Sequence, residues 1–195
     1  NNKDSLAVRF PSHPLTRNLL KRLNYPLAAP SANISTKISP VSKEDVKDEF
    51  GKKIKFILDG GTAKIGLEST VINLFDKAQI LRPGLISKKQ ISRVLKKKIS
   101  ILKKTEKVIS PGLLKRHYSP GIPIKLNCKI REDKAAFIVF GKKYKGNNEN
   151  VFNLSKSGDL NEAARKLYKT LREIKNLGFK KINIVKIPNK KIGIA

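Results

Sequence analysis

The residues best suited to chemistry in this chain are small hydroxyls, glycines and single arginines, set where strand-like runs give way to loops. Arg9 closes LAVRF, Ser31 and Asn33 open the loop after PLAA, and Ser39 ends that loop. Gly66-Leu67-Glu68-Ser69-Thr70 leads into VINL, and Arg82-Pro83-Gly84 follows QIL. In an open α/β sheet, ligands gather where strands deliver their ends into loops. Hydroxyls, backbone N–H groups and scattered guanidiniums are the donors that phosphates and carboxylates need. Other chemistries find little support. His13 and His117 lack metal-ligand spacing, and no P-loop or Gly-x-Gly-x-x-Gly run occurs. Glu68 is the one acid inside a conspicuous motif, so paired-carboxylate hydrolysis is unsupported. What remains is the binding of anions by positioned donors, with no covalent nucleophile, no catalytic side chain and no metal ligand assigned.

A second cluster lies in SPGLLKRHYSPGIPIKL, residues 110–126. Three prolines and two glycines exclude a long helix or a central strand there. The stretch nevertheless concentrates Lys115, Arg116, His117 and Tyr118 at its middle. Either the cluster is incidental or the linker reaches something, as a lid would: Pro111 and Gly112 would turn it out, Pro120 to Pro123 would turn it back, and Tyr118 would pack its ring while its hydroxyl reaches a ligand. The plainer reading is that Tyr118 anchors the linker to the first unit.

The elements that must position these residues follow from periodicity. LAVRF, PLAA, IKFILD, STVINL and QILR read as strands. Residues 14–24 read as a helix, and Ser42 with Asp45 and Ser87 with Gln90 form capping-box pairs. After the linker the pattern restarts with IPIKL, AAFIVF and VFNL. Leu160, Ala163, Ala164, Leu167, Tyr168, Leu171, Ile174 and Leu177 then mark one face of a long helix stopped by Gly178, before KINIVKI. Strand, helix and strand in that order predict a βαβ unit with a parallel sheet. The expected organisation is α/β throughout: 1–96 as one unit, 97–121 as linker and lid, and 122–195 as a second α/β unit.

Composition bounds the function. At 195 residues and 39% apolar content the chain has material for a core. No apolar run approaches 18 residues, which excludes a helical membrane span, and a cytoplasmic location is expected. The single cysteine, Cys128, excludes a disulfide framework. The net charge of +28 invites an anionic partner, and residues 93–117 hold nine basic side chains against one acid, Glu106. The basic residues are 34 Lys and only 9 Arg, in a chain crowded with Ile and Asn. Arg is the preferred residue for phosphate and base contacts, so residue bias competes with nucleic-acid binding as the source of the charge.

Taken singly, SAN and RPG read as turns and Arg9 as a surface charge. The ordered set carries more. VRFPSHP, PLAAPSAN, an SP before a helix, ILDGG, GLESTVINL, ILRPG and SPG…RHYSP together closely resemble the YrdC-like L-threonylcarbamoyladenylate synthase family, in its long form with an extra C-terminal domain. The resemblance runs from about Leu6 to Ala195. It implies a YrdC-like twisted open sheet with helices, present in part, linked to a smaller Rossmann-like α/β domain. It also implies the formation of threonylcarbamoyl-AMP and pyrophosphate from L-threonine, bicarbonate and ATP, with Mg2+ on the phosphates. The product would pass to the tRNA threonylcarbamoyl transferase machinery, which modifies the adenosine beside the anticodon of ANN-decoding tRNAs.

Carried over by motif, Arg9 would pair with the threonine carboxylate, and Ala29 and Ser69 would line the amino-acid pocket. Ser31 and Ser39 would contact ATP, Arg82 would hold a phosphate, Ser5 would lie near the nucleotide and Tyr118 would close over it; Asn33 belongs to the same loop as Ser31. The resemblance further implies that a Lys/Arg-rich N-terminal motif is absent before Asn1 and that Gly193-Ile194-Ala195 stops inside a family motif, so this stretch alone is expected to be inactive. The loop SANISTKISP also departs from the family's Arg-Ser-Gly-x-x-Ser-Pro, with Ile34 and Thr36 replacing an Arg and a Gly. The alternative function is a basic RNA-binding module without catalysis, with weak contact to tRNA or RNA. Aromatics at 6% are few for the base stacking that such modules use. A third reading leaves the C-terminal unit as a docking piece with no chemistry of its own.

Overall fold

The computed structural model describes residues 5–75, 77–102, 118–144 and 148–195. The expected lid residues Pro111, Gly112, Lys115, Arg116 and His117 lie outside the described residues. In chain order the elements are α1 (Pro14–Lys21), α2 (Lys43–Phe50), β1 (Val71–Asn73), β2 (Gln79–Arg82), α3 (Lys88–Leu95) and β3 (Ser100–Ile101). Then come β4 (Ile124–Lys125), β5 (Ala136–Val139), β6 (Val151–Asn153), α4 (Leu160–Asn176) and β7 (Ile182–Ile184). The protein is mixed α/β, as the residue pattern requires. No described helix is long and apolar enough to cross a membrane.

Local chemistry explains where the helices begin and end. Pro14 starts α1, where its missing N–H costs nothing. Ser42 Oγ accepts from the Asp45 N–H at the start of α2, but the Asp45 carboxylate turns away from the Ser42 N–H and takes the Val41 N–H at 2.8 Å. The α2 cap is therefore shifted by one residue relative to the expected box. At α3 the reciprocal box between Ser87 and Gln90 is complete. Asp159 caps α4 by accepting from Asn161 and Glu162, and Gly178, at φ +82°, follows its last turn.

Two sheets result. In the first, β1 pairs antiparallel with β2, and β2 pairs parallel with β3, which falls within the span expected as linker. In the second, the order is β4-β7-β5-β6, all parallel, with α4 crossing between β6 and β7. Alternation along β5 explains its unbroken apolar run. Ala136 and Ile138 face the α4 side with Ile182 and Ile184, while Phe137 and Val139 face the other side with Val185.

The α4-side core is shared between the units. Ile38 and Val41, from the loop and helix start of the first unit, are buried with Ile138, Leu171, Ile174 and Ile182 of the second. On the sequence pattern, LAVRF, PLAA and IKFILD are strands; in the structure none of them is. They run as irregular chain, with Leu6, Val8, Phe10 and Phe56 each more than four-fifths exposed. Among the described residues no neighbouring strand offers them hydrogen bonds, and without that ladder the residue pattern alone does not make a strand.

Candidate active site

Arg82, at the end of β2, is the centre of the best-connected polar cluster. Its Nε donates to Ser69 O at 3.0 Å, Nη2 to Ser69 Oγ at 3.3 Å, and Nη1 to Tyr118 Oη at 3.0 Å. Nη2 also lies 3.7 Å from the Glu68 carboxylate, whose other oxygen accepts from Ser39 Oγ. Four motifs that are far apart in sequence thus meet: the SP after the SAN loop, GLEST, LRPG and the HY of the linker. Gly84 is needed there, because a Cβ would come within 2.4 Å of the Thr70 N and 2.7 Å of Glu68 O. The chain can bring LRPG this close to GLEST only without a side chain.

Tyr118 enters the cluster from the other side. It takes φ +55°, a conformation that bulky residues seldom adopt, and next to it Ser119 N donates to Thr36 O at 2.9 Å. Its ring lies 6.0 Å from that of Tyr168 on α4, at 29°. Burial pushes the Tyr118 hydroxyl above its ordinary value, with the Arg82 cation opposing the shift. Burial likewise pushes Tyr168 up. Both therefore stay neutral at physiological pH, and the Tyr118 hydroxyl accepts from Arg82.

Of the expected site residues, the structure brings together Ser39, Ser69, Arg82 and Tyr118. Ser5, Arg9, Ala29 and Ser31 stand exposed on irregular chain, and none of their side chains has a hydrogen bond or ion pair among the described residues. Asn33 is turned into its own loop, donating to Ile34 O at 2.9 Å and Lys37 O at 3.1 Å. The sequence pattern leaves Glu68 a lone acid, puts Tyr168 on the apolar face of α4 without its ring contact to Tyr118, and gives Arg172 no role. Arg172 had one available signal, shared with Arg165: α4 holds two of the chain's nine arginines, and Arg172 is the one in line with Ala164 and Tyr168.

Residues 1–84 match the family model described as "Telomere recombination", of the Sua5, YciO and YrdC proteins; residues 86–195 match the model described as "Threonylcarbamoyl-AMP synthase, C-terminal domain". The threonylcarbamoyl-AMP synthase of Pyrococcus abyssi is 35% identical, covering 98% of this chain and 62% of that protein. The enzyme of the same name from Bacillus subtilis is 42% identical over 62% of this chain and 36% of its own length. The crystal structure of P. abyssi Sua5 complexed with L-threonine superposes with TM-score 0.85 at 33% identity, over 99% of this chain and 62% of that one. A P. abyssi Sua5 variant with an adjacent His and Tyr changed to Ala superposes with TM-score 0.78 at 29% identity, over 99% of this chain and 61% of that one. The chain therefore spans less than two thirds of the length of these relatives, and across that span it belongs to the YrdC-like threonylcarbamoyl-AMP synthase family in its long form, with the C-terminal domain.

Proposed function

We propose that the protein carrying this chain joins L-threonine, bicarbonate and ATP into threonylcarbamoyl-AMP and pyrophosphate, for threonylcarbamoyl modification of tRNA in the cytoplasm. One observation carries the proposal: in a chain of this family, the Ser39, Glu68–Ser69, Arg82 and Tyr118 motifs converge on one hydrogen-bonded cluster. The threonine amine and bicarbonate give a carbamate with loss of water. A carbamate oxygen then bonds to the α-phosphorus, the bond from that phosphorus to the β-phosphate bridging oxygen breaks, and pyrophosphate leaves. Two anions must be held together, so positioning and charge neutralisation are the protein's main tasks.

Arg82 suits the phosphate side. Ser69, Tyr118 and Glu68 hold its plane, and Nη1 keeps one proton beyond its bond to Tyr118. Ser31 and Ser39 would contact ATP, with Ser5 nearby, and Tyr118 would cover the nucleotide and exclude water from a labile product. Arg9, Ala29 and Ser69 would form the threonine side. This chain has one His-Tyr dipeptide, His117–Tyr118, to set beside the pair altered in the solved variant. The described residues do not fit a protein-held magnesium ion. Glu68 is engaged by Ser39 and Arg82, and no three His, Cys, Asp or Glu residues cluster among them.

The test is threonine- and bicarbonate-dependent pyrophosphate release by the full-length protein. Release that requires both supports the proposal, and ATP turnover indifferent to threonine sinks it. A basic RNA-binding module would instead show RNA affinity falling steeply with salt, and no threonine-dependent release.

A further inference from the structure

One helix of the C-terminal unit touches three separate pieces of the candidate site. Residues 164, 168 and 172 of α4 are four apart and share a face. At the first, the backbone of α4 lies directly against Gly66, where a Cβ would come within 2.8 Å of Ala164 O and Arg165 O; Gly66, at φ +70°, begins the loop carrying Glu68 and Ser69. At the second, Tyr168 stacks on Tyr118. At the third, Arg172 Nη2 donates to Ile38 O at 2.7 Å, immediately before Ser39.

Arg172 does more than touch its loop. Its Nη1 lies 3.6 Å from Glu49 Oε2, and Glu49 Oε1 accepts from the Ile34 N–H at 3.2 Å. Its Nε lies 3.5 Å from Asp45 Oδ2, the oxygen that accepts from the Val41 N–H. One guanidinium thus grips the loop at Ile38 and orients the two carboxylates that hold its backbone at Ile34 and Val41. Burial pushes the Glu49 carboxyl up, but the Ile34 N–H, Lys37 and Arg172 outweigh it and hold the group below the ordinary carboxylate range. The planar fork of Arg hydrogen-bonds Ile38 O and lies at ion-pair distance from both carboxylates, a spread of contacts that the point charge of Lys does not reproduce.

We propose that Arg172 is a positioning residue for the 31–39 loop, through which the α4 face of the C-terminal unit sets where Ser39 meets its ligand. This rests on the reading of Ser31 and Ser39 as ATP contacts. The C-terminal unit is then part of the nucleotide site's framework and not an appended docking piece. Its helix fixes the 31–39 loop, the GLEST loop and Tyr118 relative to one another.

The experiment compares wild type, Arg172→Gln, Arg172→Lys and the exposed control Lys169→Gln in the full-length protein, reading KM for ATP and for threonine and amide exchange at Ile34, Val41 and Ile182. Arg172→Gln should raise the ATP KM about tenfold, equivalent to about 1.4 kcal/mol, with the threonine KM within about twofold. Arg172→Lys should fall between, and Lys169→Gln should match wild type. Exchange should quicken at Ile34 and Val41 while Ile182, in β7, stays protected. Equal rises in both KM values, or none, overturn the proposal. If wild type releases no threonine-dependent pyrophosphate, the functional reading fails, and exchange alone decides this one: selective loss at Ile34 and Val41 supports it, and unchanged or uniform exchange overturns it.

Discussion

Two groups of expected site residues fare differently. Ser39, Ser69, Arg82 and Tyr118 sit in a cluster backed by α4, with Ile38 and Val41 sealed into the shared core beneath them. Ser5, Arg9, Ala29 and Ser31 ride on exposed chain whose apolar neighbours, Leu6, Val8 and Phe10, are open to solvent. Both regions contain strand-like sequence. AAFIVF becomes β5, because β7 and β6 lie on either side of it, whereas LAVRF has no neighbour among the described residues. A strand pattern is a requirement for a partner, and only the partner turns it into a strand. Site residues borne on such segments gain fixed geometry only when the segments are covered.

The largest test of that contrast is stability. Ile138 is fully buried between α4 and its sheet, so Ile138→Ala should cost about 2–5 kcal/mol in denaturant unfolding. Val8 is 87% exposed, so Val8→Ala should change stability by less than about 0.5 kcal/mol. Comparable losses at the two positions would mean that LAVRF is packed in solution, and the contrast would collapse.

Much of the second unit was legible because its determinants are local. The apolar face from Leu160 to Ile174 and Gly178 mark the buried side and end of α4, and the structure adds Asp159 as its cap. The same holds for Ser87 and Gln90 at α3. Leu177, assigned to the apolar face, is 60% exposed because it already belongs to the helix cap. The site was legible as an ordered series of motifs, but its wiring was not. The Arg172–Ile38 bond joins residues 134 apart, and neither residue type announces the other. Glu68 looked unpaired because its partners, Ser39 and Arg82, come from different elements. Periodicity reports which face is buried, not what lies against it.

A ligand-binding test sharpens the comparison at intermediate size. Arg9 has no partner among the described residues, so Arg9→Ala should leave unfolding free energy within about 0.5 kcal/mol of wild type. If Arg9 pairs with the threonine carboxylate, the same change removes a charge-assisted bond of about 1.5–3 kcal/mol. That is about 10- to 100-fold in threonine affinity, measured by calorimetry on the full-length protein, with ATP affinity little changed. Equal losses for both ligands would make Arg9 a shaper of the pocket. A stability loss without a binding loss would make it a structural cation.

The smallest effect concerns the polar start of α4, which has no counterpart on the exposed segments. Glu162 Oε2 accepts from Ser155 Oγ at 2.6 Å, and Oε1 lies 2.7 Å from Lys166 Nζ one turn on. Lys166, then Ser155, outweigh the opposing cost of burial and hold the Glu162 carboxyl down at about 2. Its folded value is below its unfolded one, so its contribution is fully present above the ordinary glutamate range near 4.5 and is lost as pH falls through about 2. Glu162→Gln keeps the shape and an acceptor for Ser155 but discards the charge. The melting temperature of wild type should therefore exceed that of Glu162→Gln at pH 7, and the gap should narrow steadily between pH 4.5 and 2. High salt should narrow it too, because Lys166 is half exposed and its charge is screened. A gap that stays constant across that pH range would place the contribution in packing at the helix start, with no part played by the carboxylate's charge.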